Sequence, residues 1–160
     1  MPDLLAMAES LGELLKSRSE TVSVAESSTG GLISAALLSV PGASAYFVGG
    51  GVIYTRQARA GLLLMPEGDV SVRGSTEEYA LYIARLMQER LNTTWVLSES
   101  GATGPKGNRY RDAAGHSCIA IVGPVEKAMT VETGRSEREA NMWAFTRAAL
   151  EFFEATLKSG

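Results

Sequence analysis

Along the first seventeen positions, Leu4, Leu5, Met7, Ala8, Leu11, Leu14 and Leu15 recur with helical spacing, the mark of a helix that buries one stripe. Asp3 stands where it can cap that helix. Thr21 to Ala25 alternates as a strand does. The run Leu32 to Val40 reads as a second helix, stopped by Pro41-Gly42. Ala45 to Tyr54 is rich in aromatic and β-branched residues but holds Gly49-Gly50-Gly51. It is expected to be a strand with a bulge or break where another backbone or a ligand comes near. A short helix is expected over Gln57 to Leu64, then a turn at Met65-Pro66-Glu67-Gly68. Ser75 or Thr76 caps the next helix, with Glu78 placed for a capping box and Tyr79, Tyr82, Ile83, Leu86 and Met87 as its inner stripe.

Thr93 to Leu97 reads as a strand and Gly101 to Gly115 as a long glycine-rich loop. Cys118 to Val122 is an apolar strand, paired antiparallel with Val125 to Thr133 across Gly123-Pro124. The last helix covers Ser136 to Leu157, with Met142, Phe145, Ala149, Leu150 and Phe153 turned to the core. Strands alternating with helices, plus one adjacent strand pair, predict an α/β chain: a single three-layer α/β/α domain over residues 1–160 with a mixed, mostly parallel sheet.

Composition narrows the function. With 160 residues, 45% of them hydrophobic, there is enough chain for one proper core. The net charge of -3 gives no electrostatic case for nucleic acid. No apolar run approaches the roughly 18 residues that span a bilayer, and Met1-Pro2-Asp3 lacks the basic start of a signal peptide. One cysteine and one histidine exclude an internal disulfide and argue against a structural zinc site. A cytoplasmic protein needing no cofactor is expected.

The candidate chemistry centres on Ala25-Glu26-Ser27-Ser28-Thr29-Gly30-Gly31, a strand-to-helix corner. Ser28 or Thr29 could cap the following helix, which leaves Ser27 and Glu26 to be explained. Glu26 reads either as a carboxylate behind the site or as the partner of an arginine. Three glycine stretches follow strands: Ser27 to Gly31, Gly49 to Gly51 and Ser100 to Pro105. On one sheet edge they would line a pocket with backbone N–H groups and hydroxyls, suited to a phosphate or a carboxamide oxygen. Gly101-Ala-Thr-Gly-Pro-Lys-Gly lacks the spacing and the Ser/Thr of a P-loop. Arg56 and Arg59 follow Tyr54 at helical spacing, and Asn108-Arg109-Tyr110-Arg111-Asp112 forms a second polar cluster. His116 reads as a structural histidine and Cys118 as an inert buried thiol.

Taken in order, these motifs resemble the C-terminal domain of the CinA (competence/damage-inducible) family, over nearly the whole chain. Ala-Glu-Ser-x-Thr-Gly-Gly is complete at Ala25 to Gly31, Pro-Gly-x-Ser stands at Pro41 to Ser44, Gly-Gly-x-Val-x-Tyr at Gly49 to Tyr54, and Gly101-Ala-Thr-Gly-Pro105 is similar to Gly-x-x-Gly-Pro. The resemblance implies a mixed α/β/α sheet, commonly dimeric, and deamidation of nicotinamide mononucleotide. It also implies Ser27 as nucleophile, Ser28 as dispensable, Tyr54 as the active-site tyrosine, and an anion hole shaped by Thr29, Gly30 and Gly31. Glu26, Gly49, Gly50, Ser100, Gly101, Thr103 and Gly104 complete the substrate-binding set.

Two departures stand out. The family's lysine five residues after the tyrosine is here Arg59, which stays protonated and is a poor base. The family's arginine near the start of the last helix has only Arg135, Arg138 and Asn141 nearby. Two readings therefore stand: an amidohydrolase in which Arg59 holds the phosphate or acts by charge, and a nucleotide-binding module that has lost its base. A base within reach of Ser27, His116 or Glu26, would favour the first; only Arg59 and backbone around Ser27 would favour the second.

Overall fold

The computed structural model describes residues 2–66, 68 and 72–160, with backbone alone at residues 2 and 3. The chain runs α1 (Pro2–Arg18), β1 (Val22–Glu26), α2 (Leu32–Leu38), β2 (Phe47–Val52), α3 (Arg56–Leu63), α4 (Glu77–Leu91), β3 (Trp95–Ala102), β4 (His116–Val122), β5 (Lys127–Glu132) and α5 (Arg138–Lys158). Asp3 lies inside the first turn of α1, which already begins at Pro2, so it is not the N-cap expected from the sequence; Glu67 of the expected turn lies outside the described residues.

The five strands form one open sheet in the order β2-β1-β3-β4-β5. β1 pairs parallel with both neighbours, and β3-β4-β5 is an antiparallel meander. This is the three-layer α/β fold that the alternation of elements predicts. Leu4, Leu11 and Leu15 of α1, Ile33 and Leu37 of α2, and Leu150, Phe153 and Leu157 of α5 form one core with Val22, Val24, Leu97, Ile119 and Ile121 of the sheet. Trp95 and Phe153 meet edge to face there, 5.9 Å between centroids. The opposite face of the sheet is covered by α4, through Tyr79, Ile83, Ala84 and Met87. Among the described residues no helix is long and apolar enough to cross a membrane.

β1 is buried at every position, its polar Ser23 and Glu26 included. Ser23 Oγ shares a 2.8 Å bond with Thr93 Oγ1. The bulge expected at the glycine triplet is present: Val22 pairs with Phe47 and Ser23 with Gly49, leaving Val48 as the extra residue. Gly49 to Gly51 nevertheless stay within β2 and pair with Ser23 to Ala25. What comes close at Gly50 is helix α2: a Cβ there would lie 2.2 Å from Ser34 Oγ.

The ends of β3 and α2 differ from the sequence reading, and the cap of α4 falls on one of its two expected residues. β3 continues through Ser98-Glu99-Ser100-Gly101 to Ala102, because β4 pairs with it as far as Ala102–His116. Gly101 is therefore a strand residue rather than the start of a loop. Helix α2 ends at Leu38 with Ser39 as its C-cap, before Pro41. Thr76, whose hydroxyl accepts from Tyr79 N, caps α4 at 3.1 Å, so the alternative of Ser75 with a Glu78 box is not used.

Gly101 sits where β3 and β4 press together, and a Cβ there would lie 2.6 Å from both the His116 carbonyl oxygen and Ser117 Cβ. Gly101→Ala should lower stability by about 1–3 kcal/mol through overpacking, read from the urea midpoint at unchanged m-value.

Candidate active site

The serine-rich corner after β1 is built on two buried carboxylates. Glu26 ends β1 and reaches forward over the start of α2, where Ile33 N and Ser34 N donate to it at 3.0 and 3.1 Å. It thus satisfies N–H groups that the helix start leaves unpaired. The N-cap position is Gly31, at φ 101°, without a side-chain cap. Capping by Ser28 or Thr29 and pairing of Glu26 with an arginine are both replaced by this arrangement, since the carboxylate already takes the amides at the helix start.

Glu99, in the neighbouring strand β3, holds the rest of the corner. Ser27 N and Thr29 N donate to its Oε2 at 3.2 and 3.0 Å. Ser117 Oγ donates to Oε1 at 2.7 Å, and Ser28 Oγ donates to the same oxygen. Thr29 Oγ1 lies 2.6 Å from Glu26 and 3.1 Å from Glu99, so one hydroxyl links the two carboxylates. Glu26, Glu99 and Thr29 have no solvent exposure, and burial of such groups is tolerated because converging donors replace water. Glu99 and Ser117 escaped the sequence reading. The available signal was a lone acid two residues after the apolar run Trp95-Val96-Leu97, where a longer strand would bury it.

This network decides which amides remain for a ligand. Gly30 N donates to Ser27 O and Leu32 N to Thr29 O. The Thr29 amide is committed to Glu99. Among the described residues, only the Ser28 and Gly31 amides of residues 27–31 carry no hydrogen bond. Ser27 is half-buried, and its hydroxyl has no partner among the described residues.

Beside the corner is a cleft lined by Ser28, Tyr54, Gly101, Thr103, Gly104 and Arg138. Arg138, in the first turn of α5, donates to Gly104 O at 2.7 Å and to Tyr54 Oη at 3.3 Å. It ties the start of α5 to the tyrosine after β2. Asn141 bonds instead to the Thr103 and Arg135 carbonyls, at 2.8 and 2.9 Å. Ser100 is turned away, accepting from Ser75 N at 3.1 Å. Gly49 and Gly50 lie inside the sheet rather than in this cleft.

Arg59 is not among the cleft residues. Its guanidinium lies 4.7 Å above the Tyr79 ring, in a second cavity between α3, α4 and the loop after β3. His116 is fully engaged elsewhere: Nδ1 bonds Glu132 and Nε2 lies 2.8 Å from Ser75 O. Both partners only accept, so both ring nitrogens must donate and the imidazolium is favoured. Desolvation pulls the His116 pKa down, but these bonds outweigh it and the net direction is upward. Burial pushes the Cys118 thiol up, away from the thiolate that a reactive cysteine needs. Asn108 to Asp112 is an ordered turn, its Asp112 held by Arg73 and Asn108 at 2.6 and 2.8 Å. Among the described residues no cluster of three or more His, Cys, Asp or Glu side chains could hold a metal.

A family model described as the CinA C-terminal domain matches residues 4–157. A CinA-like protein of Trichormus variabilis is 40% identical over 120 residues, covering 74% of this chain and 29% of that protein. A putative competence-damage inducible protein of Halothermothrix orenii is 30% identical over 158 residues, covering 98% of this chain and 38% of the relative. This chain therefore spans well under half the length of those relatives. Among solved structures, the competence/damage inducible protein CihA of Agrobacterium tumefaciens superposes with TM-score 0.87 at 26% identity, covering 98% and 96% of the two chains. A CinA superfamily protein of Klebsiella pneumoniae 700603 gives 0.90 at 19% identity, covering 98% and 99%, which speaks to the fold alone.

Glu99→Gln replaces one accepting oxygen by a donating NH2 against donors from the turn. It should cost about 1–3 kcal/mol by leaving buried donors unpaired, read as a fall in denaturant midpoint. Because the folded pKa of His116 is raised, its contribution to stability is full below the unfolded value of about 6.5 and fades as pH rises through the folded value. The stability gap between wild type and His116→Ala should accordingly be widest at acid pH and narrow toward alkaline pH.

Proposed function

This chain belongs to the CinA C-terminal domain family, and from that premise we propose that it is an amidohydrolase of the nicotinamide-nucleotide amidase type. Its substrate is the carboxamide of nicotinamide mononucleotide or a related amide, its products the acid and ammonia. The observation that carries this reading is the Ser27 hydroxyl: half-buried, unbonded, on a corner whose backbone is pinned by Glu99, and next in the chain to a residue of the Tyr54–Arg138 cleft. Ser27 Oγ attacks the carboxamide carbon, its proton leaves with the nitrogen as ammonia, and water hydrolyses the resulting ester. The Ser28 and Gly31 amides serve the oxyanion. Tyr54, held by Arg138, relays the proton; Thr103 and Gly104 line the substrate cleft; Arg59 contributes charge rather than basicity. The amidohydrolase unit is residues 1–160, working without a metal or organic cofactor in the cytoplasm.

One observation favours the second reading, a nucleotide-binding module without turnover. No group that could take a proton touches Ser27 Oγ among the described residues, since His116 and Glu26 are both fully engaged.

We also propose a homo-oligomer, supported by the apolar residues Val48, Val52, Leu62 and Leu64 left exposed on edge strand β2 and on α3 and its C-cap.

Ammonia release from nicotinamide mononucleotide should be measurable with the wild type. It should fall by on the order of a hundredfold or more in Ser27→Ala, and stay within a few-fold in Ser28→Ala. A silent wild type that gains turnover as Arg59→Lys would establish the binding-module reading instead. Light scattering on the eluting protein should give a mass of two or more chains; a single-chain mass would refute the oligomer.

A further inference from the structure

One amide beside the Tyr54 cleft is buried without a partner. Thr103 is only 2% exposed, and its N–H carries no hydrogen bond among the described residues. Unpaired N–H groups at such positions are rare in folded chains and call for an acceptor. The sheet fixes where this one points. Gly115, just before β4, donates its amide to Ala102 O at 2.8 Å. In a trans peptide the carbonyl and the following N–H point opposite ways, so the Thr103 N–H leaves β3 by the edge away from β4. That edge belongs to β1, which pairs with β3 only as far as Ala25–Ser98. Past that point stands the serine corner, whose Ser27 and Thr29 amides reach across to Glu99. Thr103 and Ser28 line one cleft, and neither amide is used within the chain.

Helix α5 holds residue 103 from its other end. Asn141 Nδ2 donates to Thr103 O at 2.8 Å and to Arg135 O at 2.9 Å, while Asn141 Oδ1 accepts from Thr133 Oγ1 at 2.6 Å. Asn141 has no solvent exposure, and only a side-chain amide both donates to two carbonyls and accepts from a hydroxyl in this way. Arg138, three residues earlier on the same face, donates to the next carbonyl, Gly104 O, at 2.7 Å. One turn of α5 thus grips two successive carbonyls of the loop after β3. With Ala102 O held by Gly115 and Thr103 O held by Asn141, the peptide groups on both sides of Thr103 are fixed.

We propose that the Thr103 N–H is a further donor to the carboxamide oxygen of the substrate, and that Asn141 is the positioning residue that aims it. The identity of that oxygen rests on the amidase reading. As Ser27 Oγ adds to the carboxamide carbon, the oxygen gains negative charge, and donors already fixed in place stabilise it without reorganising. The Thr103 amide comes to it from the loop after β3, the Ser28 amide from the serine corner. Asn141 touches no substrate and acts only through the carbonyl of Thr103.

The test follows the backbone amide resonances of the full chain by NMR during titration with nicotinamide mononucleotide, in the Ser27→Ala background so that ligand is held without turnover. The Thr103 resonance should move on binding, and its response should shrink when Asn141→Asp is added. That change keeps the size of the side chain and removes both its donors. With Ser27 restored, Asn141→Asp should lower kcat for ammonia release by about tenfold or more, with KM within about threefold of wild type, on protein that circular dichroism shows to be folded. Should Asn141→Asp fail to fold, Asn141→Ser, which keeps one donor, takes its place. An unmoved Thr103 resonance overturns the proposal, and an Asn141 variant with unchanged kcat overturns the role given to that residue. A wild type that releases no ammonia refutes the amidase reading instead; the Thr103 response, with and without Asn141→Asp, then decides the donor and its positioning residue by binding alone.

Discussion

Two buried carboxylates hold the corner on which the rest of the site is arranged. A charged side chain inside a protein is tolerable only where donors replace its lost water. Glu26 and Glu99 meet that requirement with the backbone itself, drawing in the amides of Ser27, Thr29, Ile33 and Ser34 and the hydroxyls of Ser28, Thr29 and Ser117. The turn between β1 and α2 is thereby fixed from beneath by strand β3 and from in front by the end of its own strand. Because Thr29 Oγ1 touches both carboxylates, the two halves of the network share one hinge point.

That solution has a consequence for chemistry. Amides bonded to a carboxylate are not free to stabilise an external anion, so a corner that reads as an anion cradle becomes largely an internal one. The positive side chains nearby stand in two separate places. Arg138 serves the Tyr54 cleft and Arg59 stands in the cavity beside Tyr79 and Tyr110. The Asn108–Asp112 turn contributes Asn108 to one cavity and Arg109 and Tyr110 to the other. The two compartments are thus neighbours along one loop: one gathers Ser28, Tyr54, Thr103 and a single guanidinium, Arg138, the other four guanidinium groups and three tyrosine rings.

Much of the fold was legible because periodicity reports burial directly. The stripes of α1, α4 and α5 and the apolar runs of β1 and β4 are where their patterns predict, except that Leu5 of the α1 stripe is exposed, and the expected bulge falls at Val48, just before the glycine triplet. The site was legible in part. Ser27, Ser28 and Thr29 could be singled out from a local motif, and Tyr54 by its place after a strand. Local reading also named Arg138, but only as one of three neighbours.

What the sequence by itself determined is therefore the set of elements, their layering and the corner that carries the serines, all consequences of spacing within one segment. What only the tertiary structure decided are contacts between segments far apart in the chain. Glu99 reaches residues 27 to 29, Arg138 reaches Tyr54, and His116 is held by Ser75 and Glu132. The extension of β3 through Glu99 was hidden for the same reason: a polar run becomes a strand only when a partner strand lies beside it, and the partner is β4, beginning fourteen residues further on. Hydrophobic spacing is set by a helix's or strand's own geometry, whereas the identity of a charged group's partner depends on which surfaces the fold brings together.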